Sequence, residues 1–382
     1  MAGLNETPKG DRIHIAFFGL RNAGKSTLVN AFTRQDVAIV SDVAGTTTDP
    51  VSKAMEILPL GPCLVTDTAG LDDVGELGGK RVEKTLSVLA TADIAVWVDG
   101  EAAPRSSTEN LFRKRFDDEC RRRGVAVLEY RRGDSVDALR ARIAALRIVD
   151  MPPGLLDGIA SPKHRIVCVC PIDESAPKGR LILPQVQLIR ECLDIGAWCA
   201  VCQPRELRDA LRELRCSLVV TDSQAFGEVR RVLADMPPEN RPALTSFSIL
   251  FARQKGDLAE YLKGLAAIRS LKDGDRVLVA EGCTHHRQCN DIGTVKIPKA
   301  LAKIAGRQLQ FSFASGAAFG VSPGADAPAL VVQCGGCMLT RREVLRRIGI
   351  CREACVPIVN YGMLLAAAHG LAGTRPDGLV EI

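Results

Sequence analysis

The sequence predicts an α/β protein built from parallel sheets with helices on both faces, and three observations point there. From Asp11 onward, short β-branched runs alternate with longer amphipathic stretches, the pattern of repeated strand–helix units. A glycine-rich loop, G-L-R-N-A-G-K-S (19–26), joins the first such strand to the first such helix. The alternation resumes beyond a proline-bearing boundary, I-V-D-M-P-P-G-L-L-D-G-I-A-S-P-K (148–163). In order, Ile13–Phe18 reads as a strand, Lys25–Phe32 as the start of a helix, and Cys63–Thr66 and Ile94–Val98 as further strands. Past the boundary come strand Arg165–Cys170, helix Leu183–Cys192, strand Trp198–Cys202, helix Arg205–Leu214 and strand Leu218–Thr221. Asp257–Leu271 places Leu258, Tyr261, Leu262, Leu265 and Ile268 at helical spacing. It leads into a third segment from about Asp273, whose first strand is Arg276–Ala280. There is no repeat of fixed period in the sequence.

The chain has 382 residues, enough for two or three domains that each bury a core. Its net charge is only +5, and the basic runs (121–123, 131–132, 341–342, 346–347) are scattered with few aromatics between them. That distribution argues against a nucleic-acid partner. No apolar run approaches the ~18 residues of a membrane span, and M-A-G-L-N-E-T-P-K-G lacks the apolar core of a signal peptide. A cytoplasmic protein is therefore expected, in which the fourteen cysteines are reduced thiols or metal ligands. Cys63, Cys168, Cys170, Cys192 and Cys216 lie in apolar runs and read as small buried hydrophobes.

The loop 19–26 has the form GxxxxGK[ST], between a strand and a helix as that motif requires. Its glycines let backbone N–H groups turn inward around phosphates; Lys25 supplies a point charge and Ser26 a hydroxyl for Mg²⁺. G-T-T-T-D (45–49) follows in a turn-rich segment, where a switch loop would place Thr47 on Mg²⁺ and the γ-phosphate. D-T-A-G (67–70) follows the strand C-L-V-T; Asp67 can hold Mg²⁺ through water and the Gly70 N–H can sense the γ-phosphate. Together the three motifs specify a switch-type P-loop GTPase. The expected nucleotide set is Asn22, Ala23, Gly24, Lys25, Ser26, Thr27, Thr46, Thr47, Asp67 and Gly70, with Lys25, Thr47 and Gly70 at the reacting phosphate.

These motifs resemble those of the translation-factor-like GTPases that include the tRNA-modifying GTPases. The resemblance implies that Asn22 coordinates a K⁺ ion and that hydrolysis is K⁺-stimulated and slow. Leu71 stands where many small GTPases carry a water-orienting glutamine. One piece of the pattern is missing. After the strand near 125–129, where guanine-reading N-K-x-D belongs, the sequence offers only R-R-G-D (131–134).

Q-C-G-G-C-M (333–338) sets Cys334 and Cys337 around a tight corner that can turn both thiols to one metal. The partner stretch is E-G-C-T-H-H-R-Q-C (281–289), at the end of the strand Arg276–Ala280, which adds Cys283 and His285. His286 and Cys289 read as neighbours of ligands, and Cys351 and Cys355 as core or interface residues. By pattern alone, a tetrahedral Cys₃His zinc site and a 4Fe–4S cluster with three thiolates both fit.

The combination resembles the FeFe-hydrogenase maturation GTPases, the HydF family. It rests on V-S-D-V-A-G-T-T-T-D-P, D-T-A-G-L-D-D-V-G-E-L-G, P-I-D-E-S-A-P-K-G-R-L-I-L-P-Q-V-Q, T-D-S-Q-A-F, the C-T-H stretch, and Q-C-G-G-C-M followed by V-N-Y-G. The resemblance covers nearly the whole chain. It implies a GTPase domain (1–150), a middle α/β dimerisation domain (160–262) and a C-terminal α/β cluster-binding domain (263–382). It implies a 4Fe–4S cluster on Cys283, Cys334 and Cys337, with His285 beside it, and cofactors GTP, Mg²⁺ and K⁺. It also implies a homodimeric scaffold that transiently binds a di-iron precursor, with radical-SAM maturases and apo FeFe-hydrogenase as partners. Where the family pattern has a second histidine before C-G-G-C, this chain has Gln333. The reading from another class is a zinc-containing regulatory GTPase of RNA modification or ribosome assembly. In either, Asp173, Glu174 and Lys178 of P-I-D-E-S-A-P-K read as a polar turn and dimer contact.

Overall fold

The computed structural model describes residues 9–34, 51–70, 85, 88–100, 107–146, 153–172, 181–282, 291–316, 319–321, 324, 326–336, 339–369 and 374–381. The chain divides into two compact units, Met1–Met151 and Pro152–Ile382.

The first unit contains β1 (Ile13–Phe18), α1 (Lys25–Thr33), β2 (Val51–Ile57), β3 (Gly61–Asp67), β4 (Ile94–Asp99), α2 (Ser107–Arg123), β5 (Ala126–Arg131) and α3 (Val136–Ala144). Its sheet runs β2-β3-β1-β4-β5, parallel except for β2 against β3. The strands β1, β3 and β4 are buried on both faces over 15–18, 63–67 and 94–98 and are largely apolar there, as central strands of a covered sheet must be. β2 is different: V-S-K-A-M-E-I alternates, half-buried, because it is an edge strand with one face to water. α1 lays Leu28, Val29 and Phe32 on the sheet, with Phe32 edge-on to Phe17 at 5.4 Å between centroids. Arg140 of α3 satisfies carbonyls at the end of α1, donating Nε to Phe32 O (3.1 Å) and Nη2 to Ala31 O (2.9 Å). On the other face Trp97, Phe18 and Phe116 pack together, and the Arg113 guanidinium lies 4.9 Å from the Trp97 ring.

The second unit carries two further four-stranded sheets. The first holds β6 (Arg165–Val169), α4 (Leu183–Asp194), β7 (Trp198–Cys202), α5 (Leu207–Leu214), β8 (Leu218–Thr221), α6 (Phe226–Ala234), β9 (Ala243–Ser246) and α7 (Phe247–Lys255). The next holds α8 (Leu258–Ala267), β10 (Arg276–Glu281), α9 (Ile297–Ala305), β11 (Gln310–Ser315), β12 (Leu330–Gln333), α10 (Arg341–Glu353), β13 (Ile358–Asn360) and α11 (Tyr361–Ala368). Both sheets are parallel, in the orders β7-β6-β8-β9 and β11-β10-β12-β13. The two topologies are the same: the chain starts centrally, steps to one side, then crosses to the other. No repeat of fixed period in the sequence announces this, because the pattern repeats in connectivity and not in residue identity.

Cys63, Cys168, Cys170 and Cys192 are buried, as small apolar residues of the cores; Cys216 is half-buried. Cys351 is buried and Cys355 exposed. Burial pushes the thiols of Cys120, Cys170 and Cys351 up to about 12, which keeps them protonated and inert. Among the described residues no helix is long and apolar enough to cross a membrane.

Candidate nucleotide site and cysteine site

The phosphate loop leaves β1 at the point where the strand order switches sides, between β3 and β4. Open parallel sheets bind ligands at such points, beyond the carboxyl ends of the strands. Gly19 admits no side chain: a Cβ there would lie 2.5 Å from the Val98 carbonyl oxygen. Gly24 has φ +87°, a left-handed conformation natural to glycine, and forms the N-cap of α1. The first N–H groups of α1 thus open into the loop, a ready anion site. Asn22 stands exposed at φ 58°, and Thr27 is also exposed, whereas Ala23 is buried. Lys25 is folded against the loop, its Nζ donating to Leu20 O (2.7 Å) and Gly19 O (3.3 Å).

Ser26 and Asp67, forty-one positions apart, meet here: Ser26 Oγ donates to Asp67 Oδ2 at 2.6 Å. Thr68 Oγ1 donates to Phe17 O (2.7 Å), which fixes the end of β3 against β1. Asp67 is fully buried, and its other oxygen, Oδ1, has no hydrogen-bond partner. Burial raises its pKa, opposed by the Ser26 hydroxyl and the Lys25 charge. A buried carboxylate oxygen without a donor, beside a serine hydroxyl, is the donor set a hard divalent cation takes, and Mg²⁺ fits it. Gly70 follows at the strand's end. Thr46, Thr47 and Leu71 lie outside the described residues.

The R-R-G-D turn follows β5, in the place expected of the base-reading motif. There Asp134 Oδ2 accepts the Arg131 N–H (2.8 Å), Asp134 N–H donates to Arg131 O (2.9 Å), and Gly133 has φ +100°. The carboxylate is therefore engaged in closing its own turn.

In the last sheet, the order again switches sides between β10 and β12. These strands are adjacent and parallel, with Ala280 opposite Gln333. Their carboxyl ends lead directly into the C-T-H segment and the C-G-G-C segment. Gly282 N–H donates to Cys334 Sγ at 3.1 Å. A Cβ on Gly282 would lie 2.5 Å from Leu339 Cγ, so Gly282 packs directly against Leu339. Gly336 takes the left-handed φ of +69°, and Leu339 N–H closes onto Gly336 O at 3.0 Å. Thr340 then caps α10, its Oγ1 accepting from Glu343 N–H at 3.2 Å. Cys283, His285 and Cys337 lie outside the described residues, as do His286, Cys289, Asp173, Glu174 and Lys178. Among the described residues no three potential ligands converge. Cys334 accepts on its sulfur a backbone N–H from the residue that precedes Cys283 in sequence.

Two features here carry no sequence signal. Gln333 is fully buried, and neither atom of its amide has a hydrogen-bond partner. Lys255, a buried lysine at the end of α7, donates to Leu339 O (3.1 Å) and Gly336 O (3.4 Å). A lysine that ends an amphipathic helix reads as solvated until the tertiary fold is known.

The folds define a class: a P-loop GTPase domain followed by two parallel α/β domains, the last carrying Cys334 at the end of a central strand. Three family profiles match in that order. Residues 14–123 match the 50S ribosome-binding GTPase family, 155–256 the hydrogen maturase F dimerization domain, and 259–375 the hydrogen maturase F tetramerization domain. The chain belongs to the hydrogen maturase F (HydF) family. Curated relatives are similar over part of the chain. The tRNA modification GTPase MnmE of Beijerinckia indica is 34% identical over 36% of this chain and 31% of its own length. The GTPase Der of Campylobacter hominis is 37% identical over 26% of this chain and 21% of its own. The chain thus spans about a third or less of these relatives. Among solved structures, Aquifex aeolicus Era bound to GDP·AlF4⁻ aligns at 16% identity and a TM-score of 0.28, over 79% of this chain and 93% of Era. That superposition is too loose to transfer anything to this chain.

Proposed function

We propose that this chain is a GTP-binding iron–sulfur scaffold that assembles or delivers the di-iron subcluster of FeFe-hydrogenase during maturation. The observation that carries the reading is the pairing of β10 and β12. The ends of these adjacent parallel strands set Gly282, which precedes the C-T-H stretch in sequence, on Cys334 of C-G-G-C, in a domain matched by a hydrogen maturase F profile. Cys283, Cys334 and Cys337 would hold a 4Fe–4S cluster, which supplies an iron to which an incoming di-iron unit attaches. Glutamine is a poor iron ligand, so the fourth position falls to His285 or to an exchangeable small ligand.

In the GTPase domain, the loop N–H groups and Lys25 bind the phosphates, Ser26 and Thr47 hold Mg²⁺, and Gly70 senses the γ-phosphate. Asn22 would hold K⁺. With Leu71 in place of a glutamine, no side chain there orients water, and turnover is slow. The output of the domain is then the state of its switch segments, which sets the association with radical-SAM maturases and the apo-hydrogenase.

Oligomerisation is part of the reading. The β7 edge exposes Trp198 and Val201, with Leu193 of α4 also exposed, and we assign it to the dimer. The tetramerization match over the last domain points to dimers that associate further.

The test is anaerobic reconstitution followed by electron paramagnetic resonance of the reduced protein, with and without cyanide or imidazole, and then incubation with apo-hydrogenase. A cluster signal that shifts with the added ligand, and hydrogenase activation after coexpression with the maturases, are expected. Stoichiometric zinc without labile sulfide would sink the proposal and favour a zinc-containing regulatory GTPase.

A further inference from the structure

The first sheet of the second unit carries a group of thiols apart from both sites above. Cys168 on β6, Cys192 on α4 and Cys199 on β7 lie on one side of that sheet, in or against the core that includes Leu188 and Phe251. Cys199 stands opposite Ile166 in register and Cys168 opposite Val201, so the two cysteines are diagonal neighbours on one face. Their sulfurs are 3.4 Å apart. Cys168 and Cys192 are fully buried, while Cys199 is half-buried on the strand at the sheet's edge. Two other half-buried cysteines of the same domain, Cys202 and Cys216, set the contrast: burial pushes each thiol up to about 11. Cys199 moves the other way. Hydrogen bonds from Cys168 and Cys192 lower it and outweigh the burial that raises it. Cys168 and Cys192 move up in turn, through the hydrogen bond to Cys199 and then through burial, and stay protonated. A sulfur that accepts from two thiols is the one that carries negative charge, and the thiolate is the nucleophile.

We propose that Cys199 is an oxidisable nucleophile that takes hydrogen peroxide as its co-substrate, with Cys168 as the thiol that resolves it into a disulfide. The Cys199 thiolate attacks one peroxide oxygen and the O–O bond breaks. Sulfur is oxidised by two electrons to the sulfenic acid, and the leaving hydroxide takes a proton from solvent to depart as water. Cys168 then attacks the sulfenic sulfur; the S–S bond forms, and hydroxide leaves with the Cys168 proton as a second water. Two thiols are oxidised and one hydrogen peroxide is reduced to two waters. Closing the sulfurs from 3.4 Å to the ~2.05 Å of a disulfide needs a shift of about 1.4 Å. β7 can supply it, because it is bonded to a neighbouring strand on one side only. The product ties an edge strand to a central strand within the region matched as the dimerization domain.

The experiment uses the full chain before reconstitution and reads single cysteines by peptide mass spectrometry. Trypsin leaves Cys168 on peptide 166–178 and Cys199 on peptide 191–205, and every cysteine of the last domain on other peptides. Fragmentation separates cysteines that share a peptide. At about pH 6, iodoacetamide is expected to modify Cys199 roughly tenfold or more faster than Cys202 or Cys216. Stoichiometric hydrogen peroxide is expected to link Cys168 to Cys199. In Cys168→Ser the link is lost and Cys199 is trapped by dimedone as its sulfenic acid; in Cys199→Ser neither product forms. Equal labelling of Cys199, Cys202 and Cys216 overturns Cys199 as the nucleophile, and that measurement needs no variant to fold. A bridge from Cys199 to Cys192, or sulfenic acid that persists in wild type, overturns Cys168 as the resolving thiol.

Discussion

The phosphate site and the proposed cysteine site both belong to the carboxyl ends of parallel strands, at points where the strand order switches sides. They are assembled differently. The phosphate site is mostly local: Gly19 to Ser26 are consecutive, anchored by β1 and α1, and one distant residue, Asp67, completes it. The cysteine site has no local majority. Its proposed halves are some fifty residues apart in sequence, and the described residues beside them pack together, Gly282 against Leu339, Gly282 N–H on Cys334 and Lys255 on Gly336 and Leu339. A contiguous loop needs only its own conformation, whereas a two-part site depends on the fit between neighbours. The first should therefore be damaged mainly through its ligands, and the second equally through residues that touch no ligand.

The largest expected effects come from crossing the two sites. Cys334→Ser should reduce reconstituted iron to near zero and leave nucleotide affinity unchanged. Lys25→Ala should weaken GTP binding roughly ten- to a hundredfold, the worth of a lost charge-assisted contact, with normal iron content. Coupled losses in both variants would break the comparison. Asp67→Asn splits stability from function within the phosphate site. Burial penalises the ionised carboxylate, so removing its charge should raise the melting temperature of the nucleotide-free protein at pH 7. The same change should cost roughly tenfold or more in Mg²⁺-dependent GTP binding by isothermal titration.

Gly282→Ala tests the packed interface. Its methyl group would meet Leu339 at 2.5 Å, and overpacking of this kind costs about 1–3 kcal/mol. Thermal unfolding should show a fall of ~2–4 °C for each kcal/mol lost, together with reduced iron uptake, although no ligand has changed. A smaller effect concerns pH. Burial pushes Glu343 of α10 up, but hydrogen bonds from Arg346 and Arg347 outweigh it and hold the carboxyl below its ordinary value of 4.5. Its stabilisation is present above that value and fades as pH falls through the depressed folded value. Acid unfolding curves should show a term below pH 4.5 that Glu343→Gln removes. The smallest effect is at the base-reading turn. Because Asp134 closes its own turn, Asp134→Asn should leave the preference between GTP and xanthosine triphosphate within about threefold, some 0.6 kcal/mol.

The same contrast explains what could be read from the sequence. The loop 19–26 and D-T-A-G are contiguous and chemically specific, and β1, β7 and β8 match the apolar runs that announce them. β2 went unseen because V-S-K-A-M-E-I is half-polar and pairs antiparallel, outside the strand–helix rhythm. β9 and β13 are three or four residues long and merge into the helices that follow. At the cysteine site the motif residues were legible but their support was not. Nothing local marks Lys255 as buried or Gln333 as a sealed amide, since both depend on which helices and strands lie alongside. Gly282 gave no signal either, because a glycine beside a ligand is indistinguishable from a turn until Leu339 is seen against it.

The central claim is that this chain carries a GTPase site and an iron–sulfur centre on separate units. The most direct measurement is iron, labile sulfide and zinc per chain after anaerobic reconstitution, in wild type and in Cys283→Ser, Cys334→Ser and Cys337→Ser. About four iron and four sulfide are predicted in wild type, lost in each variant while GTP binding persists. One zinc per chain without labile sulfide, or full iron content in the variants, would contradict it.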